Sequence, residues 1–180
     1  RIELMLSAIQ DGSARIKGII SELKDFSRPT GARMDHEIDV NQVVEKSLDL
    51  TAAILKKATA CLSVTYGENL PRIQGNFGKL QQVMINLLVN AGQALEHSEQ
   101  SIHVQTRFND QKDSLIIEVT DTGPGVTDRD LERLKDPFFT TRRDEGGTGL
   151  GLSISEKIVR DHGGLLEFSS SPGRGLTARI

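Results

Sequence analysis

The chain is 180 residues long, enough for one domain with an appendage but not for two full domains. Its 22 Lys+Arg against 25 Asp+Glu leave a net charge of -3, which argues against a nucleic-acid binder acting through a general basic field. An aromatic content of 4% without Trp makes a base-stacking platform improbable, so no nucleic-acid partner is expected. No apolar run approaches the roughly 18 residues of a membrane span, and Arg1-Ile2-Glu3-Leu4 is amphipathic rather than a signal peptide. The single cysteine, Cys61, can form neither an internal disulfide nor a cysteine-rich zinc site, and a reducing cytoplasm is the expected compartment.

Residues 1–27 predict one long helix. Ile2, Met5, Ile9, Gly12, Ile16, Ile19, Leu23 and Phe26 follow alternating steps of three and four, and only Gly12 interrupts the apolar seam. Such a narrow, sustained seam suits a coiled coil or bundle and needs a partner helix. The alternative is a helix folded back on its own domain. Ser27-Arg28-Pro29-Thr30-Gly31 breaks the helix and marks the domain boundary, giving residues 1–29 and 30–180 as the two units.

Beyond the boundary, residues 37–40 predict a short strand and Asn41 a cap for a helix running to about 58. Residues 62–66 alternate as a strand, 76–95 form a strong helix, and 102–108 and 115–121 are two further strands. A glycine-rich stretch follows over 122–147, with a short helix near 129–134. A last helix covers 148–161 and stops at Gly163-Gly164, and strands at 165–169 and 176–180 flank a Ser-Pro-Gly-Arg-Gly turn. Strands and helices mix without a regular βαβ beat. The expected class is α+β, with helices on one face of a mixed sheet in a two-layer α/β sandwich, preceded by the long bundle helix.

Four constellations carry chemistry. On the 76–95 helix, Asn86 and Asn90 stand about 40° apart and off the apolar stripe. They are either core amides satisfied by backbone or a polar site whose amide oxygens suit a hard cation such as Mg2+. Asp121 ends the apolar row Leu115, Ile117, Val119 with a carboxylate and runs into Thr122-Gly123-Pro124-Gly125. It is either a turn cap or an acceptor for a donor such as an exocyclic amino group, with Gly123 and Gly125 allowing close approach. Gly146-Gly147-Thr148-Gly149-Leu150-Gly151-Leu152 opens the last helix, as a hinge or as an anion site built from amides; it fits neither the P-loop nor the dinucleotide fingerprint. Between them, Asp136-Pro137-Phe138-Phe139-Thr140-Thr141-Arg142-Arg143 is a loop that can dock through its aromatic pair, and its arginines can either meet phosphate or stay solvated.

Taken in order, Asn86-x3-Asn90-Ala91, Asp121-x-Gly123-x-Gly125, Pro137-Phe138-Phe139-Thr140 and Gly147-Thr148-Gly149-Leu150-Gly151-Leu152 closely resemble the N, G1, F and G2 boxes of sensor histidine kinases, in the GHKL superfamily. The resemblance covers about residues 38–180. Residues 13–29, ending in Phe26-Ser27-Arg28-Pro29, resemble the second helix of the dimerisation and phosphotransfer hairpin. The resemblance implies a Bergerat-type fold binding ATP and Mg2+. Asn90 would hold the metal against the phosphates with Asn86 in support, and Asp121 would take the adenine amino group in a pocket shaped by Gly123 and Gly125. Phe138 and Phe139 would anchor a lid containing Thr140 and Thr141, and Gly147, Thr148, Gly149, Leu150 and Gly151 would line the phosphates. Hydrolytic relatives carry a glutamate general base where Asn86 stands, and an asparagine cannot take that proton. The implied reaction is therefore γ-phosphoryl transfer to a histidine, with Asn86, Arg142 and Arg143 as its catalytic residues.

Certain positions depart from the family pattern. Gln93 stands where some members carry a basic residue, which shifts phosphate contact to Arg142 and Arg143. Leu176, not threonine, follows Gly173-Arg174-Gly175, and Thr177 comes one residue later. None of His36, His97, His103 and His162 sits in an acceptor box on the bundle helix, so the acceptor is expected outside this chain. The implied partners are an acceptor-histidine hairpin, the receiver domain of a response regulator, and a second copy paired through the N-terminal helix. The alternatives are a GHKL-type nucleotide-binding regulatory module without phosphotransfer, and a structural coiled-coil adaptor.

Overall fold

The computed structural model describes residues 36–141 and 147–180; the expected bundle helix, Arg142 and Arg143 lie outside the described residues. Among the described residues eleven elements follow one another: β1 (His36–Ile38), α1 (Val40–Ala58), β2 (Cys61–Thr65), β3 (Ile73–Gly75), α2 (Phe77–Ala94), β4 (Ser101–Asn109), β5 (Ser114–Asp121), α3 (Asp128–Leu131), α4 (Gly151–Asp161), β6 (Glu167–Ser170) and β7 (Leu176–Arg179). The main sheet has the order β2-β4-β5-β7-β6, with β2 parallel to β4 and the remaining pairs antiparallel. This is the expected mixed sheet of an α+β fold.

A small separate sheet pairs β1 with β3, His36 opposite Gly75 and Ile38 opposite Ile73. Each of its strands leads directly into a helix, so this short sheet ties the starts of α1 and α2 together. The cap of α1 differs from the expectation. Asp39, not Asn41, is the N-cap, and its carboxylate accepts from the Asn41 and Gln42 N–H groups. Asn41 instead makes long-range bonds. Its Nδ2 donates to the Gly67 carbonyl at 3.0 Å, and its Oδ1 accepts from the buried Thr106 hydroxyl at 2.6 Å. Thr106 in turn accepts the Gly67 N–H at 2.9 Å, so one buried hydroxyl on β4 fixes both the helix start and the exit from β2.

The helices cover one face of the sheet. Ile102, Val104, Ile117, Val119 and Ala178 of the strands join a core with Val43, Val44 and Leu55 of α1, Met84, Leu87 and Leu88 of α2, and Ile154, Ile158 and Val159 of α4. Each fully buried aliphatic side chain contributes roughly 1.5–3 kcal/mol, so this shared layer is the main stabilising term. α4 is also bonded to the start of α2. His162 Nδ1 donates to the Ile158 carbonyl at 2.7 Å, and its Nε2 accepts the Asn76 N–H at 3.0 Å, which fixes the neutral Nδ1–H tautomer. Among the described residues no buried side-chain nitrogen or oxygen lacks a partner.

The opposite face of the sheet is polar. Ser63 bonds His103 at 2.9 Å and Thr120 bonds Thr177 at 3.0 Å. Glu118, with its side chain 15% exposed, receives Arg179 Nε at 2.6 Å and Arg107 Nε at 3.4 Å. Burial alone pushes the Glu118 carboxyl up, but the hydrogen bonds and charges of Arg179 and then Arg107 outweigh it and hold the group below its ordinary value of 4.5.

Two outcomes follow from this architecture. Gly175 has φ +78, and a Cβ there would fall on the Asp121 carbonyl. Gly175→Ala is therefore expected to lose roughly 2–4 kcal/mol in urea unfolding, from left-handed strain and overpacking together. Because the Glu118 carboxyl is depressed in the folded state, its stabilisation is present above the unfolded-state pKa and disappears as pH falls through the folded value. Chemical denaturation from pH 7 to pH 3 should show Glu118→Gln less stable than the parent at neutral pH, with the gap closing below about pH 4. A gap that stays constant across that range contradicts the assignment.

Candidate functional site

The second helix is apolar nearly all round except along one stripe. Leu80, Val83, Met84, Leu87, Leu88 and Ala91 are buried, whereas Asn86, Val89, Asn90, Gln93 and Ala94, at steps of three and four, border an open cleft. The cleft, about 390 Å3 in volume, is bounded across from this stripe by Gly147, Thr148 and Gly149 and by the first residues of α4, Gly151 and Leu152. Phe139, Thr140, Thr141, Val126, Leu134 and Leu176 complete its lining.

The start of α4 is held against α2 by Asn86. Its Nδ2 donates to the Gly151 carbonyl at 3.1 Å and to Ser155 Oγ at 3.2 Å, while Ser155 Oγ donates to the same carbonyl at 2.9 Å. The nitrogen end of the amide is thus turned to α4, and the carbonyl oxygen is the end that Asn86 can offer a ligand. α4 opens at Gly151, three residues later than expected. Gly149 sits at φ +69, and a Cβ on it would approach the Phe138 carbonyl carbon to 2.5 Å. The Phe138 N–H donates to the Gly149 carbonyl at 2.9 Å, so the two ends of the glycine-rich loop cross at van der Waals contact. Phe138 itself adopts φ 67 and is 56% exposed, outside the cleft. Phe139 faces the cleft, and the Arg133 guanidinium lies over its ring at 4.5 Å.

Asp121 is 2% exposed and lies behind the open cleft, without bordering it. Its Oδ1 accepts the Gly123 N–H at 2.8 Å and the Leu176 N–H at 3.4 Å. Leu176 lines the cleft, which places the carboxylate directly beneath that wall. The hydroxyl of Thr177 points the other way, to Thr120 on the polar face of the sheet, so it is not on the Asp121 side.

The structure brings Asn86, Asn90, Gln93, Phe139, Thr140, Thr141, Gly147, Thr148, Gly149 and Gly151 to one cleft. Asp121, Gly123, Gly125 and Phe138 are not among its lining, and Leu150 is 1% exposed in the hydrophobic core rather than facing a ligand. Arg142 and Arg143 lie outside the described residues. Leu134 and Val126 carry no sequence signal for a site: both come from irregular chain whose position depends on packing. Leu152 could have been found, since it is the last residue of the glycine box itself. No Asp, Glu, His, Lys or Arg is among the described residues lining the cleft.

Residues 75–180 match the family described as histidine kinase-, DNA gyrase B-, and HSP90-like ATPase. The chain is 34% identical over 166 residues to the sensor histidine kinase ZraS of Salmonella typhimurium, an overlap of 92% of this chain and 35% of that protein. The catalytic domain of histidine kinase ThkA superposes with a TM-score of 0.66 at 26% identity, over 80% of this chain and 93% of that one. Full-length ShkA in complex with AMPPNP shares the fold, with a TM-score of 0.83 at 19% identity over 98% of this chain and 37% of that one. The chain spans about a quarter to a third of the length of the curated relatives it matches. The family match, the mixed sheet with its one-sided helical layer, and the cleft between α2 and α4 agree: this chain belongs to the histidine kinase-, DNA gyrase B- and HSP90-like ATPase family.

Proposed function

We propose that this chain is the ATP-binding catalytic part of a sensor histidine kinase, passing the γ-phosphoryl group of ATP to a histidine outside the chain, for relay to an aspartate on a response-regulator receiver domain. The observation that carries the reading is the composition of the cleft. Asn86 borders it together with Asn90, Gln93, threonines, glycines and apolar side chains, and the Asn86 amide is not a group able to accept a proton from water. A hydrolase needs such a group, whereas phosphoryl transfer to an imidazole needs alignment and charge stabilisation. In the transfer, the bond from the γ-phosphorus to the β–γ bridging oxygen breaks, a bond to the imidazole nitrogen forms, and ADP leaves. Residues 1–29 serve in this reading as one helix of a dimerising hairpin, and the domain works in the cytoplasm.

The residues present fit a metal brought in with nucleotide. Two amide side chains one turn apart are hard neutral donors, and the described residues hold no cluster of three or more His, Cys, Asp or Glu that could bind an ion alone. Asn90 would hold Mg2+ with Asn86 beside it; when bound, the metal neutralises charge on the phosphate oxygens. The remaining negative charge falls to the amides of Gly147, Thr148 and Gly149 and to Arg142 and Arg143. Asp121, beneath the Leu176 wall of the cleft, accepts the adenine amino group in this reading. Support comes from the ShkA complex, whose AMPPNP belongs to a protein of the same fold.

Two measurements check this. In calorimetric titration with Mg-ATP, Asp121→Ala should weaken binding by at least about tenfold, and Asn90→Ala should remove most of the difference between titrations with and without Mg2+. An unaltered isotherm in either variant removes that residue's role. Incubation with labelled Mg-ATP and a separately supplied acceptor hairpin should give acid-labile, base-stable label on the hairpin. Binding without transfer would favour a regulatory module, and release of free phosphate at a comparable rate would contradict the transfer mechanism.

A further inference from the structure

The second helix ends at Ala94, and the chain turns before β4 begins at Ser101. Gln100 lies half-buried in that turn and does not touch the cleft. Its side chain nevertheless spans two segments that are remote in sequence. Oε1 accepts the Glu96 N–H at 2.6 Å and the His97 N–H at 3.1 Å, while Nε2 donates to the Thr122 carbonyl at 2.8 Å. Two donors on one side and an acceptor on the other leave the amide a single orientation. Its own backbone is anchored as well, since the Thr59 hydroxyl donates to the Gln100 carbonyl.

The Thr122 carbonyl belongs to the same peptide unit as the Gly123 N–H, and in a planar trans peptide the two point in opposite directions. With the carbonyl drawn to Gln100, the N–H is aimed the other way, where it meets Asp121 Oδ1 at 2.8 Å. A flipped peptide would bring the Thr122 carbonyl against the carboxylate, oxygen to oxygen. The N-terminal side of Thr122 is fixed separately: its N–H donates to the Ser101 carbonyl at 3.0 Å and its Oγ1 accepts the Ser101 N–H at 2.8 Å. The bond from Gln100 restrains the following peptide from its outer side.

We infer that Gln100 is a positioning residue. It locks the 122–123 peptide, which locks the Asp121 carboxylate, and so enforces selection of a purine with an exocyclic amino donor over one with a carbonyl at that position. The selectivity rests on the nucleotide reading above; the mechanical linkage does not.

Gln100→Glu separates the two. It keeps the acceptor for the Glu96 and His97 N–H groups but sets a carboxylate oxygen against the Thr122 carbonyl. Gln100→Asn, too short to span the gap, serves as the second variant if the first does not fold. In the nucleotide-free protein, the Gly123 amide should shift upfield in proton–nitrogen spectra and exchange at least about tenfold faster with solvent. In competition titrations with Mg-ATP and Mg-ITP, the preference for ATP should fall by about tenfold, with affinity for ITP changed much less. A Gly123 resonance and exchange rate equal to the parent's overturn the linkage. Equal weakening of both nucleotides overturns the selectivity and leaves Gln100 as a structural clamp. If the parent protein does not prefer ATP over ITP, the nucleotide reading fails, while the Gly123 measurement decides the linkage independently.

Discussion

Asp121 puts a carboxylate, 2% exposed, at the end of the row formed by Leu115, Ile117 and Val119. Removing such a group from water costs several kcal/mol unless hydrogen bonds replace its hydration. Backbone supplies two of the replacements: the Gly123 N–H from the loop that follows, and the Leu176 N–H from the first residue of β7. Much of the surrounding geometry follows from that need. Strand β7 must lie beside β5, with Val119 opposite Ala178. The turn into β7 must pass so close that Gly175 has no room for a side chain. The loop after β5 must turn back on the carboxylate immediately. The buried carboxyl group is therefore a constraint on how the sheet, the turn and the cleft wall meet.

The same division between core and site recurs on α2. One stripe packs into the hydrophobic layer and an adjacent stripe faces the cleft, so any shift of the helix moves Asn86, Asn90 and Gln93 together. Asn86 is bonded to Gly151 and Ser155, which couples the amide stripe to the helix that carries the glycine box. The α2–α4 side of the cleft is therefore hydrogen-bonded across its two helices. Its described lining carries no formal charge, although the proposed ligand is a polyanion. The net charge of -3 gives no attraction for a polyanion at a distance, so the proposed reading relies on short-range contacts rather than on a general field.

Periodicity was sufficient to locate α2, β4 and β5, because each is long and its buried face repeats at a single period. It also put Asp121 on the buried face. The short strand β3 was not legible: three residues, Ile-Gln-Gly, carry no period and become a strand only because β1 lies alongside. The cap of α1 was misplaced by two residues because Asp39 and Asn41 have equal capping chemistry. Only the fold reveals that Asn41 is occupied by Gly67 and Thr106. The late start of α4 reflects the crossing of Gly149 under Phe138, a contact invisible in a local pattern. Among site residues, the paired asparagines and glycine box were legible because their types are costly without a purpose. Leu134, Val126 and the Gln100 clamp were not, since ordinary residues acquire those roles through long-range placement alone.

A structure of the chain with Mg2+ and a non-hydrolysable ATP analogue is the decisive measurement. The adenine amino nitrogen should lie within hydrogen-bond distance of the Asp121 carboxylate, the metal on Asn90, and the phosphates against the amides of residues 147–149. A nucleotide bound elsewhere, or seated in the cleft with its base turned away from Asp121, would contradict the proposed site.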